Sequence, residues 1–229
     1  MSLALSAAQP FAKGGNRLCF VHPENPQRCI KVRRPDFTLE DLRRSKGFPK
    51  NLRPLSSFDD NLEEYNVMNK LDQRFGEQLY RHVSRCHGFV DTDLGPGLQS
   101  ELVRNQDGTI AYSMKQHLAE KGMTADLVRA LDQFCDFWET LCIPSRQLLT
   151  HNIVAQCDAE GEVSRLVAID GLGDPTLIPS HWLPNAWQRK RYHRKTQQLR
   201  TRVDKFMLEL TSGKKPSEVG QLIHNGTQK

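Results

Sequence analysis

"GGNRLCFVHPENPQRCIKV", residues 14–32, is the stretch on which the fold turns. Two short apolar runs, "RLCFV" (17–21) and "RCIKV" (28–32), flank "HPENPQ" (22–27), a segment full of turn formers. The region 17–32 therefore reads as a β-hairpin. In front lies "AKGGN", whose Gly14 and Gly15 suit a tight turn with exposed backbone amides. Lys31 interrupts the second run between Ile30 and Val32. It is either a strand residue facing water or a cation held in a pocket.

A candidate partner for that cation lies thirty residues on. From Asp59 or Asp60, "DDNLEEYNVMNKLDQRF" reads as a helix with an acid at its start, where the dipole favours one. Positions 62, 65, 68 and 71 set its apolar stripe. On a helical wheel Glu64 falls inside the stripe, beside Met68 and Leu71. A carboxylate aimed at apolar surface is costly unless a cation meets it. Glu64 therefore calls for a basic partner.

Between hairpin and helix, 33–60 reads as an irregular, basic insertion with one short helix at 38–45. Segments 86–90 and 98–104 read as further strands joined by "DTDLGPG", and "RNQDGT" marks a turn. The strongest helix is 124–141, which Thr124 can cap, with Leu127, Leu131, Phe134, Trp138 and Leu141 in one stripe and Pro144 ending it. "NIVAQ" and "RLVAI" then form a second hairpin, with Asn152 where one strand starts and Asp170 where the other ends. The last 15 or so residues are polar and are expected to fray.

Taken in order, the polar residues that break these apolar runs resemble the nucleotide-site parts of protein-kinase-like folds. The order is a glycine turn, a strand lysine, a helix glutamate, a loop asparagine and a hairpin aspartate. In that scheme Lys31 grips the phosphates of ATP and Glu64 steadies it. Asn152 and Asp170 offer oxygens to Mg²⁺. Cys29, two residues back on the Lys31 face, would lie against the base. "SRQLLTHN" (145–152) can be set against the kinase loop H-R-D-L-x-x-x-N. Arg146, Leu148 and Asn152 fall in register, and Gln147 occupies the place of the catalytic aspartate. The metal triplet reads "DGL" (170–172), and "KGGNR" is short for a glycine-rich loop.

"HPENPQRCIKV", "SRQLLTHNIV" and "IDGLGDPTLIP" together resemble the YrbL family, PhoP-regulatory-network proteins of Gram-negative bacteria with a kinase-like fold. The resemblance runs from about residue 9 to about residue 195. It implies an α+β, two-lobed, protein-kinase-like fold. A small antiparallel β-rich lobe with one helix would cover 1–104, and a reduced, mostly helical lobe 105–229. It also implies a role in envelope-stress or magnesium-responsive signalling, without supplying a substrate. The family's loop is itself expected to lack the catalytic aspartate.

Three readings of function stay open. A glutamine can orient a hydroxyl but cannot take its proton at neutral pH, which favours a nucleotide-binding, pseudokinase-like regulator. A general base is worth roughly 10²–10⁴ in rate, and positioning and metal charge carry much of phosphoryl transfer. An active ATP-dependent phosphotransferase is therefore compatible too, its small helical lobe pointing to a small-molecule or glycolipid acceptor. The third reading is a non-enzymatic module that works through "WQRKRYHRKTQQLRTRVDK" (187–205), where eight Lys and Arg face one acid, Asp204. That run suits an acidic partner, or simply a solvated helix face. Bland alternatives also stand: Lys31–Glu64 as a plain ion pair, and Asn152 and Asp170 as hairpin caps.

Bulk composition narrows the classes. With 229 residues, 38% hydrophobic and 26% charged, the chain can bury a sizeable core. No apolar run reaches the roughly 18 residues of a membrane span, and the start lacks the features of an export signal. The six scattered cysteines, none in C-x-x-C spacing, read as reduced thiols of a cytoplasmic protein. The net charge is +5, but no aromatic platform or reading motif accompanies it, which argues against nucleic acid.

Overall fold

The computed structural model of the chain describes residues 2–174 and 184–226, apart from the side chains at 50 and 185. Its first part is a five-stranded antiparallel sheet in the order β1-β2-β3-β5-β4. The strands are β1 (Ala12–Lys13), β2 (Arg17–His22), β3 (Asn25–Arg33), β4 (Cys86–Thr92) and β5 (Gly95–Glu101). The expected hairpin is β2–β3, with Cys19 opposite Lys31. β3 is central, held by β2 on one side and β5 on the other. Ile30 and Val32 point to one side, where they bury against Leu5 and Phe20. By alternation Cys29 and Lys31 face the other way.

The insertion is more ordered than its composition suggests. It holds α1 (Leu39–Ser45), started by a capping box between Thr38 and Asp41, and two short 3₁₀ turns. Leu42 and Phe58 bury it against the rest of the chain. α2 (Asp60–Phe75) follows, and the Asp59 carboxylate accepts from the amides of Asn61 and Leu62 at its first turn. Its stripe is only partly as expected: Met68 and Leu71 are buried, while Leu62 and Tyr65 are half-buried. Tyr65 spends its ring on Phe89 of β4, with centroids 5.3 Å apart.

β4 and β5 run closer to each other than the glycines and proline of "DTDLGPG" imply. Only Asp93 and Leu94 lie between them, and Gly95–Pro96–Gly97 belongs to the strand. The remainder is mostly helical: α3 (Met114–Lys121), α4 (Ala125–Leu141) and α5 (Asn185–Thr211). They pack around a small antiparallel sheet of β6 (Tyr112–Ser113), β7 (Ile153–Cys157) and β8 (Val163–Ala168). Leu127, Leu131, Phe134 and Trp138 of α4 form the centre of the main core, against Met68 and Leu71 of α2 and Tyr192 and Leu199 of α5. Each such side chain contributes about 1.5–3 kcal/mol on burial. α4 stops before Pro144: Cys142 takes a left-handed conformation, φ 52°, and caps it.

The whole is α+β and compatible with the expected two-lobed arrangement. Among the described residues no helix is long and apolar enough to cross a membrane. The expected fraying after α5 does not hold for the described residues. The segment 217–225 pairs back onto the body: Leu222 bridges Ala12, and the amide of Ile223 donates to the carbonyl of Phe11 at 2.7 Å. Polar side chains misled the composition argument because this segment is held through its backbone.

Candidate functional site

Lys31 is a pocket cation. It is 6% exposed, and its Nζ donates to Glu64 Oε1 at 2.6 Å and to the carbonyl of Ile169 at 2.9 Å. Helix and strand are fixed to each other beside this pair, because Asn61 Nδ2 donates to the Lys31 carbonyl at 2.9 Å. Burial by itself favours the neutral amine. The Glu64 carboxylate, helped by Asp170, more than offsets it, so the Lys31 pKa is raised.

A second cation shares the glutamate. Arg17, the first residue of β2, donates Nη1 to Glu64 Oε2 and, at 3.1 Å, to Asn61 Oδ1. Its Nη2 donates to Asp170 Oδ2 at 2.7 Å. Each Glu64 oxygen thus serves one cation, and Arg17 spans the gap from α2 to the end of the second hairpin. The Asp170 side chain keeps 43% of its surface exposed. Burial opposes its charge, yet Arg17 and Lys31 hold its carboxyl below the usual carboxylate range. Arg17 was not among the expected site residues. The signal was in the hairpin register: residues 17, 19, 29 and 31 share one strand face.

Asp170 and Asn152 are brought in by the second hairpin. The amide of Ile169 donates to the Asn152 carbonyl at 2.9 Å, so the start of β7 and the exit of β8 lie side by side. The loop before them is tied to the same place: the amide of Arg146 donates to the carbonyl of Gly171 at 2.8 Å, and Ser145 bridges Leu172. Gly171 has φ +81°, and a Cβ there would stand 2.7 Å from the Gln147 carbonyl and 3.1 Å from Asn152 Nδ2. The residue after Asp170 therefore has to be glycine for the loop to close.

These elements surround a cleft of about 430 Å³ between the five-stranded sheet and the helical part. Gly14, Gly15, Cys29, Lys31, Glu64, Asn152 and Asp170 all line it. Gln147 does not; its side chain is exposed. Both glycines are exposed, and the amide of Gly14 is spent on the Arg17 carbonyl at 2.9 Å. The cleft has a charged half around Lys31, Arg17 and Asp170, and an apolar half that includes Cys29, Leu102, Ile110 and Val154. Cys29 Sγ lies 3.0 Å from Ser100 Oγ, and burial pushes its thiol up. Cys19 is pushed up to about 12 for the same reason, so both thiols are neutral near pH 7.

Chemically, the charged half can take an anion at the two cations, or a hard cation at the oxygens of Asp170 and Asn152. Among the described residues no group of three or more His, Cys, Asp and Glu is arranged to hold a metal. Binding of Mg²⁺, which uses one or two protein carboxylates and fills its shell with phosphate and water, would fall to Asp170. It would require Arg17 to give up Asp170. The basic run 187–205 lies on α5, and much of it is fastened inward. Arg191 pairs with Asp174 at 2.8 Å, Arg200 pairs with Asp132 at 2.7 Å, and Lys195 donates to the Arg146 carbonyl. Arg189, Lys190, Arg194 and Lys205 face solvent.

The profile of the PhoP regulatory network protein YrbL matches residues 3–204. The chain belongs to the YrbL family. It is 27% identical over 180 residues to proteins called uncharacterized protein YrbL in Escherichia coli strain K12 and in Shigella flexneri. Those matches cover 77% of this chain and 76% of each relative. The YrbL match takes in both hairpins, α2 and α4, and so all the residues that meet at the Lys31–Glu64 pair. Of the motifs that carried the resemblance, "PTLIP" lies outside the described residues.

Proposed function

We propose that this YrbL-family chain is a protein-kinase-like, pseudokinase-type member of a PhoP regulatory network that binds a nucleotide in its cleft. One observation carries the reading: Lys31 and Glu64 pair at 2.6 Å on the wall of a cleft that Asp170 and Asn152 also line. An ion pair of purely structural use has no need of a cavity beside it. In this reading 1–104 and 105–229 are the two lobes. ATP lays its base on the apolar half near Cys29 and its phosphates against Lys31 and the Gly14–Gly15 turn. Mg²⁺ accompanies the phosphates, held by Asp170 and Asn152, and supplies charge neutralisation there.

The regulatory form of the reading is favoured over an active phosphotransferase by the place of Gln147. A group that orients or deprotonates an acceptor has to reach into the cleft, and the Gln147 side chain is turned to solvent. The deciding experiment is calorimetry of ATP with and without Mg²⁺ on wild type, Lys31→Ala and Asp170→Ala. Binding that is lost in Lys31→Ala supports a nucleotide site. Binding that depends on both metal and Asp170 turns the balance toward a working transferase, and no binding in wild type ends the reading.

A further inference from the structure

The cleft has a wall that neither motif nor family profile accounts for, made by the segment after α5. Val219, Gly220, Gln221 and Leu222 line it together with Lys31 and Asp170. On the helical side the segment is latched by Lys115 of α3. This lysine is 8% exposed, and its Nζ donates to the Ser217 carbonyl at 2.8 Å, to Ser217 Oγ at 2.7 Å and to the Val219 carbonyl at 2.8 Å. A buried ammonium is costly unless its hydrogen bonds are made, and these three acceptors all belong to the segment. Ser113 Oγ adds a hydrogen bond to the Gly220 carbonyl at 2.5 Å. Gly220, φ +81°, lies so close over His151 that a Cβ would run into the histidine's own Cβ.

On the sheet side the same segment pairs with β1. Leu222 bridges Ala12 and packs with Phe11, Cys19 and Cys29. The amide of Ile110 donates to the Asn225 carbonyl at 3.0 Å. One stretch of chain is therefore tied to both sides of the cleft, and its leucine sits in the apolar half.

We propose that residues 217–225 form a strap that completes the apolar half of the ligand site and has to lift for a ligand to enter or leave. This rests on the nucleotide reading for the identity of the ligand, but the strap itself can be tested without one. A ligand with a flat apolar group and a charged end would lie beneath it, the apolar end against Leu222 and the charged end at Lys31.

The test uses two full-length variants, Lys115→Met, which removes the latch, and Gly220→Val, which wedges the strap off His151. Thermal melting confirms that each folds, and either alone suffices. The first readout is the rate at which iodoacetamide alkylates Cys19, followed by mass spectrometry. Losing hydrogen bonds to a buried charge should raise it about tenfold or more over wild type; an equal rate overturns the strap. The second is stopped-flow binding of a fluorescent N-methylanthraniloyl ATP with Mg²⁺. Association and dissociation should both accelerate about tenfold over wild type. Unchanged rates overturn the strap. Failure of wild type to bind this probe removes the nucleotide reading, and the alkylation rates still decide the strap.

Discussion

Arg17 and Asp170 lie 153 residues apart in the chain and meet at 2.7 Å, guanidinium to carboxylate. Through Glu64 the contact continues to Lys31, so two cations and two carboxylates from four different elements form one network. The sheet contributes the cations, α2 one acid and the second hairpin the other. Its members are unequal, because Glu64 has two charged partners and Lys31 one.

That inequality sets the order of two substitutions. Glu64→Gln leaves Lys31 without its counter-charge and Arg17 with Asp170 alone in a buried site, and should cost about 3–5 kcal/mol of stability. Lys31→Met leaves Glu64 still paired with Arg17 and should cost only about 1–2 kcal/mol. Urea unfolding of the two proteins measures both. The reverse order would mean that Arg17 does not share the glutamate in solution.

On the proposed nucleotide reading, a divalent cation would compete with Arg17 for the Asp170 oxygen that the guanidinium now holds. Arg17→Ala frees that oxygen, so Mg²⁺ should raise the melting temperature of the variant by more than it raises that of wild type. The difference should vanish when Asp170→Asn is added. Equal shifts in wild type and Arg17→Ala would show that the metal, if bound, does not use this carboxylate.

Gly171 ties Asp170 to the loop before β7. Gly171→Ala puts a methyl against the Gln147 carbonyl and forces a left-handed backbone on an L side chain. A loss of about 1–3 kcal/mol is expected. Ligand affinity should fall further than in an Ala variant elsewhere on that loop, because Asp170 and Asn152 both shift. Melting and ligand titration of the same sample separate the two effects.

His117 on α3 is 2% exposed, and among the described residues its Nε2 has no hydrogen-bond partner. Burial, with Lys121 adding to it, lowers the pKa from the usual 6.5. Burial likewise lowers that of His82, whose Nδ1 bonds the Leu166 carbonyl at 2.8 Å. The unfolded chain therefore takes up protons before the folded one does, and stability should decline as pH falls through about 6.5. His117→Leu removes one of these groups. Its melting temperature should fall less steeply than that of wild type between about pH 7 and pH 5.5; an identical slope would place the titrating group elsewhere.

Local pattern alone determined a good deal. The hairpin at 17–32 was readable because turn formers separate two apolar runs, and α4 because its stripe repeats at helical spacing. Glu64 announced its need for a cation through its place on the apolar face of α2, and the motifs placed the chain in its family. These are short-range signals, set by periodicity and by the cost of a buried charge. What only the tertiary structure decided is where long-range partners land. Arg17 gave no helical or motif signal, and it became a site residue only when β2 was paired in register and the second hairpin brought Asp170 to it. Gln147 matched a motif position, yet its side chain was left outside the cleft. The polar segment 217–225 looked like a loose end, because its hold on the body runs through backbone groups and a buried Lys115 about a hundred residues away. Side-chain composition cannot report such contacts; they exist only once the chain has closed on itself.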